Sequence, residues 1–451
     1  MKPFHTIVLI AIIAILIGSC NQDNSVAQEN KSSQSRNNPE LAEFINGVKA
    51  VDNHAHANTI DSSDKGSDAL PLDGLGSIQL PARVRPESQT WVNAAKALYG
   101  FDGTLLNDSA LHELLNLEQN VMKQKGEGFP SWALDKAGIE IMFANRISMG
   151  PGLSPARFRW VSYDDALLFP LSTKAEAAMT PDREKLFPLE DALLKKYLAD
   201  LNKSALPPKL EEYLKEIVTA TLEAQRKGGC MAVKFEAAYL RSLDFEKADG
   251  RDASEVYARY VHGGEPPRDK YKLLQDFIFY YIAREAGRLG MAVHIHSYPG
   301  AGDYFVAAGC DPLLLEPVFN DPELRKTNFV LIHGGGTFSR HTSAMLWKPN
   351  VYADISLLTQ LWTPEQLAVV LKDWLSQFPE KILFGTDAVS FGPGLGWEMS
   401  AWIASTTGRQ ALTIALSDMV ANKEITISHA KEIGTMVLQS NANNLYHLGL
   451  R

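Results

Sequence analysis

The chain has 451 residues, 45% hydrophobic, 22% charged and 9% aromatic, a balance that excludes disordered, collagen-like and low-complexity classes. Its formal charge of −9 comes without the clustered basic face that nucleic-acid binding needs. Three cysteines are too few for a disulfide scaffold.

The chain starts with an address. Lys2 supplies a positive start, and Ile7 to Ile17 is an unbroken apolar run of 11 residues. That run is short for ~30 Å of hydrocarbon but suits a signal-peptide core. It ends in Ile17-Gly18-Ser19-Cys20. Small residues before a cysteine resemble the bacterial lipobox, in which the cysteine is lipidated after cleavage. Residues 1–19 are therefore expected to be a lipoprotein signal peptide. Residues 20–38, rich in Asn, Gln and Ser, are expected to form a flexible tether. The domain, 39–451, would lie in the cell envelope outside the cytoplasm, held to a membrane only through lipid on Cys20. In that space Cys230 and Cys310 could pair, or stay as two buried thiols.

No internal repeat is visible. Short β-rich runs recur at Lys49–His54, Gly138–Phe143, Arg157–Ser162, Met231–Phe235, Met291–His296, Asn328–His333, Val351–Ile355 and Lys381–Phe384. Amphipathic stretches such as Tyr271–Gly290 and Pro364–Phe378 separate several of them. Strands alternating with helices imply a parallel sheet, and eight such strands an α/β (β/α)8 TIM barrel. The connections at 57–137 and 163–228 exceed what a crossover needs. They read as helical insertions after the first and third strands, clearest at Leu105–Lys125 and Asp191–Lys227. They either cover the barrel mouth or buttress its outside.

Four of the runs end in metal-type ligands. In Val51-Asp52-Asn53-His54-Ala55-His56 the pleat points His54 and His56 the same way. Met291-Ala292-Val293-His294-Ile295-His296 repeats the device, with Val293 and Ile295 towards the helices. His333 ends an apolar strand before Gly334-Gly335-Gly336, and Asp387 follows the last strand. The C-terminal strand ends are where such barrels carry their chemistry.

His-x-His after the first strand, His after the fifth and sixth and Asp after the eighth resemble the amidohydrolase superfamily. The likeness is closer to its FluG-like branch, through VDNHAH (51–56), FEAAYLRSL (235–243), PNVYADIS (349–356), KILFGTD (381–387) and NNLYHL (443–448). Residues 57–225 match poorly. The resemblance implies a divalent cation, zinc first, as one ion or two. His54, His56, His296 and Asp387 would be ligands, with water activated at the metal. Asp387 would act as general base, and His333 would polarise a carbonyl or stabilise an oxyanion. His294 stands where relatives carry a glutamine, which implies pocket lining. Lys234 matches a lysine that bridges two metals in some members. It could equally meet a substrate carboxylate or form an ion pair with Glu236. Tyr239, Arg241 and Arg340 occupy family-like positions from which an arginine could clamp an acidic substrate. Trp397 and Glu398 would line the rim.

The function so implied is hydrolysis of a C–N bond in a small, carboxylate-bearing amide. A one-metal decarboxylase of the same superfamily and a non-catalytic surface-binding lipoprotein are the alternatives. A small-molecule partner is expected, no nucleic acid, and a homo-oligomer is compatible with the sequence.

Overall fold

The computed structural model describes residues 38–60, 64, 66, 80–104, 107–300 and 302–450. The expected signal peptide, the lipobox and Cys20 lie outside them, as does the expected tether apart from Asn38.

Eight strands form one sheet in the order β1 to β8, every neighbouring pair parallel. They are β1 (Ala50–Ala55), β2 (Ile139–Asn145), β3 (Phe158–Tyr163), β4 (Cys230–Phe235), β5 (Ala292–His296), β6 (Phe329–Ile332), β7 (Val351–Asp354) and β8 (Ile382–Leu383). Each overlaps a run expected from the sequence, and the architecture is the (β/α)8 barrel. β8 is only two residues long, so its neighbours complete the ring. The Asn53 amide donates to Phe384 O at 2.9 Å, Asp387 N to His54 O at 2.7 Å and His56 N to Ala388 O at 2.8 Å.

Side-chain alternation divides the strands into two cores. Val293 and Ile295 join Val233, Phe235, Phe329 and Leu331 in the layer between sheet and helices, as the pleat predicts. Val51, Phe143, Val161, Ala232, Val330, Ile332 and Leu383 fill the barrel interior. Burying an aliphatic or aromatic side chain contributes about 1.5–3 kcal/mol, so this inner layer holds the ring shut from within. Tyr446, from the C-terminal helix Asn441–Tyr446, plugs the interior, its ring centroid 4.4 Å from that of Phe143.

Both long insertions are helical. After β1 come Gln89–Tyr99, Asp108–Lys125 and Phe129–Ala137. Trp91, Val92, Leu98 and Leu114 pack against Leu395, Met399 and Ile403 of the segment after β8. This insertion therefore leans on the long helix Trp397–Ala421. After β3, Pro181–Asp200 lies by the barrel mouth. Tyr197 donates its hydroxyl to Tyr163 O at the end of β3, and Asp182 accepts from Tyr304 N beyond β5 at 2.7 Å. The helix expected over Asp191–Lys227 is interrupted between Asp200 and Leu210. Asn202 takes a left-handed φ of 56°, and Pro207-Pro208 cannot continue a helix.

Cys230 and Cys310 are buried and unpaired. Among the described residues no helix is long and apolar enough to cross a membrane.

Candidate metal centre

The C-terminal strand ends converge on Asp387. Its Oδ1 lies 3.0 Å from His54 Nε2 and 3.3 Å from His56 Nε2. One pleat thus delivers both imidazoles of β1 to one carboxylate oxygen. Asp387 sits at φ 55°, a left-handed turn that Asp tolerates better than most residues. Asp52 braces that turn by accepting from Thr386 N at 2.9 Å and Thr386 Oγ1 at 2.5 Å.

His333 enters from β6 at φ 65°, followed by three glycines that also have positive φ. A Cβ on Gly334 would collide with the Trp374 ring and Asp354 O. Glycine there lets the loop fold flat and brings the imidazole inward. The rings of His54 and His333 stand 5.1 Å apart. One ligand atom each from His54, His333 and Asp387 falls within 4.8 Å of the others.

These donors suit a divalent cation of zinc's kind: two imidazole nitrogens and a carboxylate, with a third imidazole, that of His56, alongside. Burial pushes the His54 pKa well below the ordinary value, and the Lys234 ammonium adds to it. Burial also takes His333 down to about 4. Both rings are then neutral near pH 7, as ligation requires. Burial alone would hinder ionisation of Asp387. The neighbouring His333 and the hydrogen bonds from His54 and His56 outweigh it and hold that carboxyl well below the usual range. Asn145 Nδ2 reaches His54 Nδ1 at 2.7 Å, while Asn145 Oδ1 is buried without a hydrogen-bond partner. The same Nδ2 also donates to Ala55 O at 3.1 Å, which holds the amide with its nitrogen towards His54.

The remaining expected residues spread around this cluster. His296 packs its ring 4.7 Å from that of His333, but its Nε2 donates to Tyr298 O at 2.8 Å and its Nδ1 lies 3.1 Å from Tyr239 OH. Tyr239 therefore stands at the site beside His296. Lys234 is buried, with Nζ 3.5 Å from His54 Nε2 and 3.5 Å from Glu236 Oε1. His294 turns away, its Nε2 2.7 Å from Tyr446 OH at the barrel plug. Arg241 is held by Gln275 Oε1 at 2.9 Å, Asp276 Oδ1 at 2.6 Å and Asp244 O at 3.0 Å. Arg340 is exposed on the helix Ser339–Met345. Trp397 and Glu398 are buried, and Glu398 accepts from Tyr99 OH at 2.7 Å.

Sequence reasoning overlooked Asn145, Tyr163, Asp354 and Ser356. Tyr163 OH lies 3.1 Å from His56 Nδ1. Asn145 and Tyr163 are the last residues of β2 and β3, and that position is the one signal that could have flagged them.

Residues 250–448 match the amidohydrolase family model. Protein fluG of Emericella nidulans is 24% identical over 222 residues, which cover 47% of this chain and 25% of that protein. The chain thus spans about a quarter of the length of that relative. Among solved structures, a uronate isomerase from Thermotoga maritima superposes with a TM-score of 0.63 at 15% identity, covering 90% of this chain and 96% of that one. A protein from Lactobacillus casei assigned as a metal-dependent hydrolase superposes at 0.61 and 16%, covering 91% and 99%. A glucuronate isomerase from Caulobacter crescentus superposes at 0.59 and 12%, covering 96% of each chain. At these identities the structures share the fold alone. Over residues 250–448, on a parallel eight-stranded barrel with a histidine–aspartate cluster at its mouth, the chain is similar in sequence to the amidohydrolase family.

Proposed function

We propose that the protein is a metal-dependent hydrolase that cleaves the C–N bond of a small amide bearing a carboxylate. The observation that carries this reading is the approach of His54 Nε2 and His56 Nε2 to one oxygen of Asp387, with His333 beside them. A divalent cation held by these residues would lower the pKa of its bound water to ~7. Asp387, ionised at neutral pH and partly open to solvent, takes a proton from water and returns it to the leaving nitrogen. Lys234 is the cation nearest the cluster and the group proposed to meet a substrate carboxylate, since Arg241 is already held by Gln275 and Asp276.

Metal content per chain, measured by plasma mass spectrometry on protein starting after Cys20, tests the centre. A screen of γ-glutamyl-type and other small acidic amides tests the reaction. One or two ions with amide turnover support the reading. Protein that stays metal-free after zinc or manganese supplementation overturns it in favour of a binding protein. The three-residue donor set is enough for a single ion, and a single ion also serves decarboxylation, so carboxylic acids belong in the same screen.

The lipid anchor at Cys20 and the envelope location remain part of the proposal, supported by the sequence of residues 1–20. Cys20→Ala should move the protein from the membrane fraction to the soluble fraction of its native host. Retention in the membrane would point to an uncleaved apolar anchor.

A further inference from the structure

Behind the centre runs a line of hydrogen bonds that begins at the barrel plug and ends on His333. Asp354, at the end of β7, is wholly buried, and its two oxygens face four donors. Oδ1 accepts from His333 N at 2.8 Å, Ser356 N at 3.1 Å and Ser356 Oγ at 2.6 Å. Oδ2 accepts from Asn53 Nδ2 at 2.9 Å. A serine hydroxyl has one proton. Directed at Asp354, that proton is not available to His333 Nδ1, 2.9 Å away on the other side of Ser356 Oγ. The ring must then donate, so the proton sits on Nδ1 and the lone pair on Nε2.

The far end of the line is compatible with the same direction. Tyr446 OH lies 2.5 Å from Asn53 Oδ1, and a carbonyl oxygen can only accept. The amide is therefore oriented with Nδ2 towards Asp354. With its proton given to Asn53, the Tyr446 oxygen accepts from His294 Nε2 at 2.7 Å. His294 Nδ1 is then the lone-pair nitrogen, and it is a buried atom without a partner. Every proton from His294 to His333 is thereby placed with no group required to donate twice.

We propose that Asp354 and Ser356 are positioning residues that lock His333 in its Nδ1–H form and present the Nε2 lone pair to the reaction centre. Asn53, Tyr446 and His294 orient the opposite oxygen of Asp354. His333 is then a metal ligand or proton acceptor. It is not the hydrogen-bond donor to a substrate carbonyl that the sequence had suggested. The assignment concerns the metal-free protein and stands or falls apart from the hydrolase reading.

The test is the ring nitrogen spectrum of metal-free protein labelled with 15N-histidine, with His333→Gln used to assign the signals. A protonated Nδ1 and an unprotonated Nε2 on His333 are expected. A protonated Nε2 would mean that Asp354 carries the proton and the line runs backwards, which overturns the proposal. Ser356→Ala should mix the two ring forms and weaken zinc binding, read by calorimetric titration, about 10–100-fold. Ser356→Thr should restore both. Unchanged ring form and affinity in Ser356→Ala would also overturn it. Should Ser356→Ala fail to fold, the wild-type spectrum decides alone.

Discussion

Asp387 is tied to His54 twice: its Oδ1 lies 3.0 Å from His54 Nε2, and its backbone amide donates to His54 O at 2.7 Å. Side chain and main chain of the same two residues thus make both the centre and the closure of the sheet.

His54→Ala removes the ring and leaves that backbone contact. Metal content should fall to near zero and turnover with it, while far-ultraviolet circular dichroism stays close to wild type. Affinity should drop by more than the ~10–100-fold typical of groups that only orient a ligand. Retention of stoichiometric metal would exclude His54 as a ligand.

Asp387→Asn keeps the shape but removes the base. General base catalysis contributes about 10²–10⁴-fold, so turnover on whichever amide the screen identifies should fall by that range or more. Near-normal turnover would refute the assignment of Asp387.

Lys234 shares a buried patch with Asp165, Glu190 and Glu236. Burial pushes the carboxyls of Asp165 and Glu190 well above their ordinary range, and nearby carboxylates add to it. Removing one partner of a buried ion pair leaves the other uncompensated. Lys234→Met should lower stability by about 3 kcal/mol in urea unfolding, and Glu236→Gln in that background should recover part of the loss. If Lys234 instead bridges two ions, the metal count of Lys234→Met will fall from two to one.

His294 gives the protein an acid-side slope. Burial, with help from Lys234, lowers its pKa to about 3, against 6.5 for an ordinary histidine. The folded state therefore binds fewer protons than the unfolded one between those values. Its contribution is present above pH 6.5 and is lost as the pH falls towards 3. His294→Gln can still donate to Tyr446 but does not titrate. Its unfolding free energy should depend on pH more weakly than wild type between pH 6 and 4, by up to one proton. Parallel slopes would show that His294 is not the group responsible.

The barrel was legible because its strands are apolar runs with polar ends, and the pleat correctly paired His54 with His56. The same periodicity put His294 and His296 on one face, yet they serve different ends. His294 meets Tyr446, a residue brought in by the C-terminal helix, and strand periodicity has no view of that helix. Arg241 matched a family-like position, but its guanidinium is engaged by Gln275 and Asp276, adjacent residues on a helix distant in sequence. Asn53, Asp354 and Ser356 fall within the family-like segments 51–56 and 349–356, but no metal-ligand spacing marks them. Their importance arises from which neighbours the closed ring gives them.

The brevity of β8 has one more consequence. With only two residues in its last strand, the sheet closes through backbone bonds made by Asn53, His56 and Asp387, which sit among the ligand positions themselves. A cation gripping His54 and Asp387 would act as a rivet between the first and last staves of the barrel. Demetallation would loosen the molecule first along that seam, and the opposite wall, around β4 and β5, would be the last to yield.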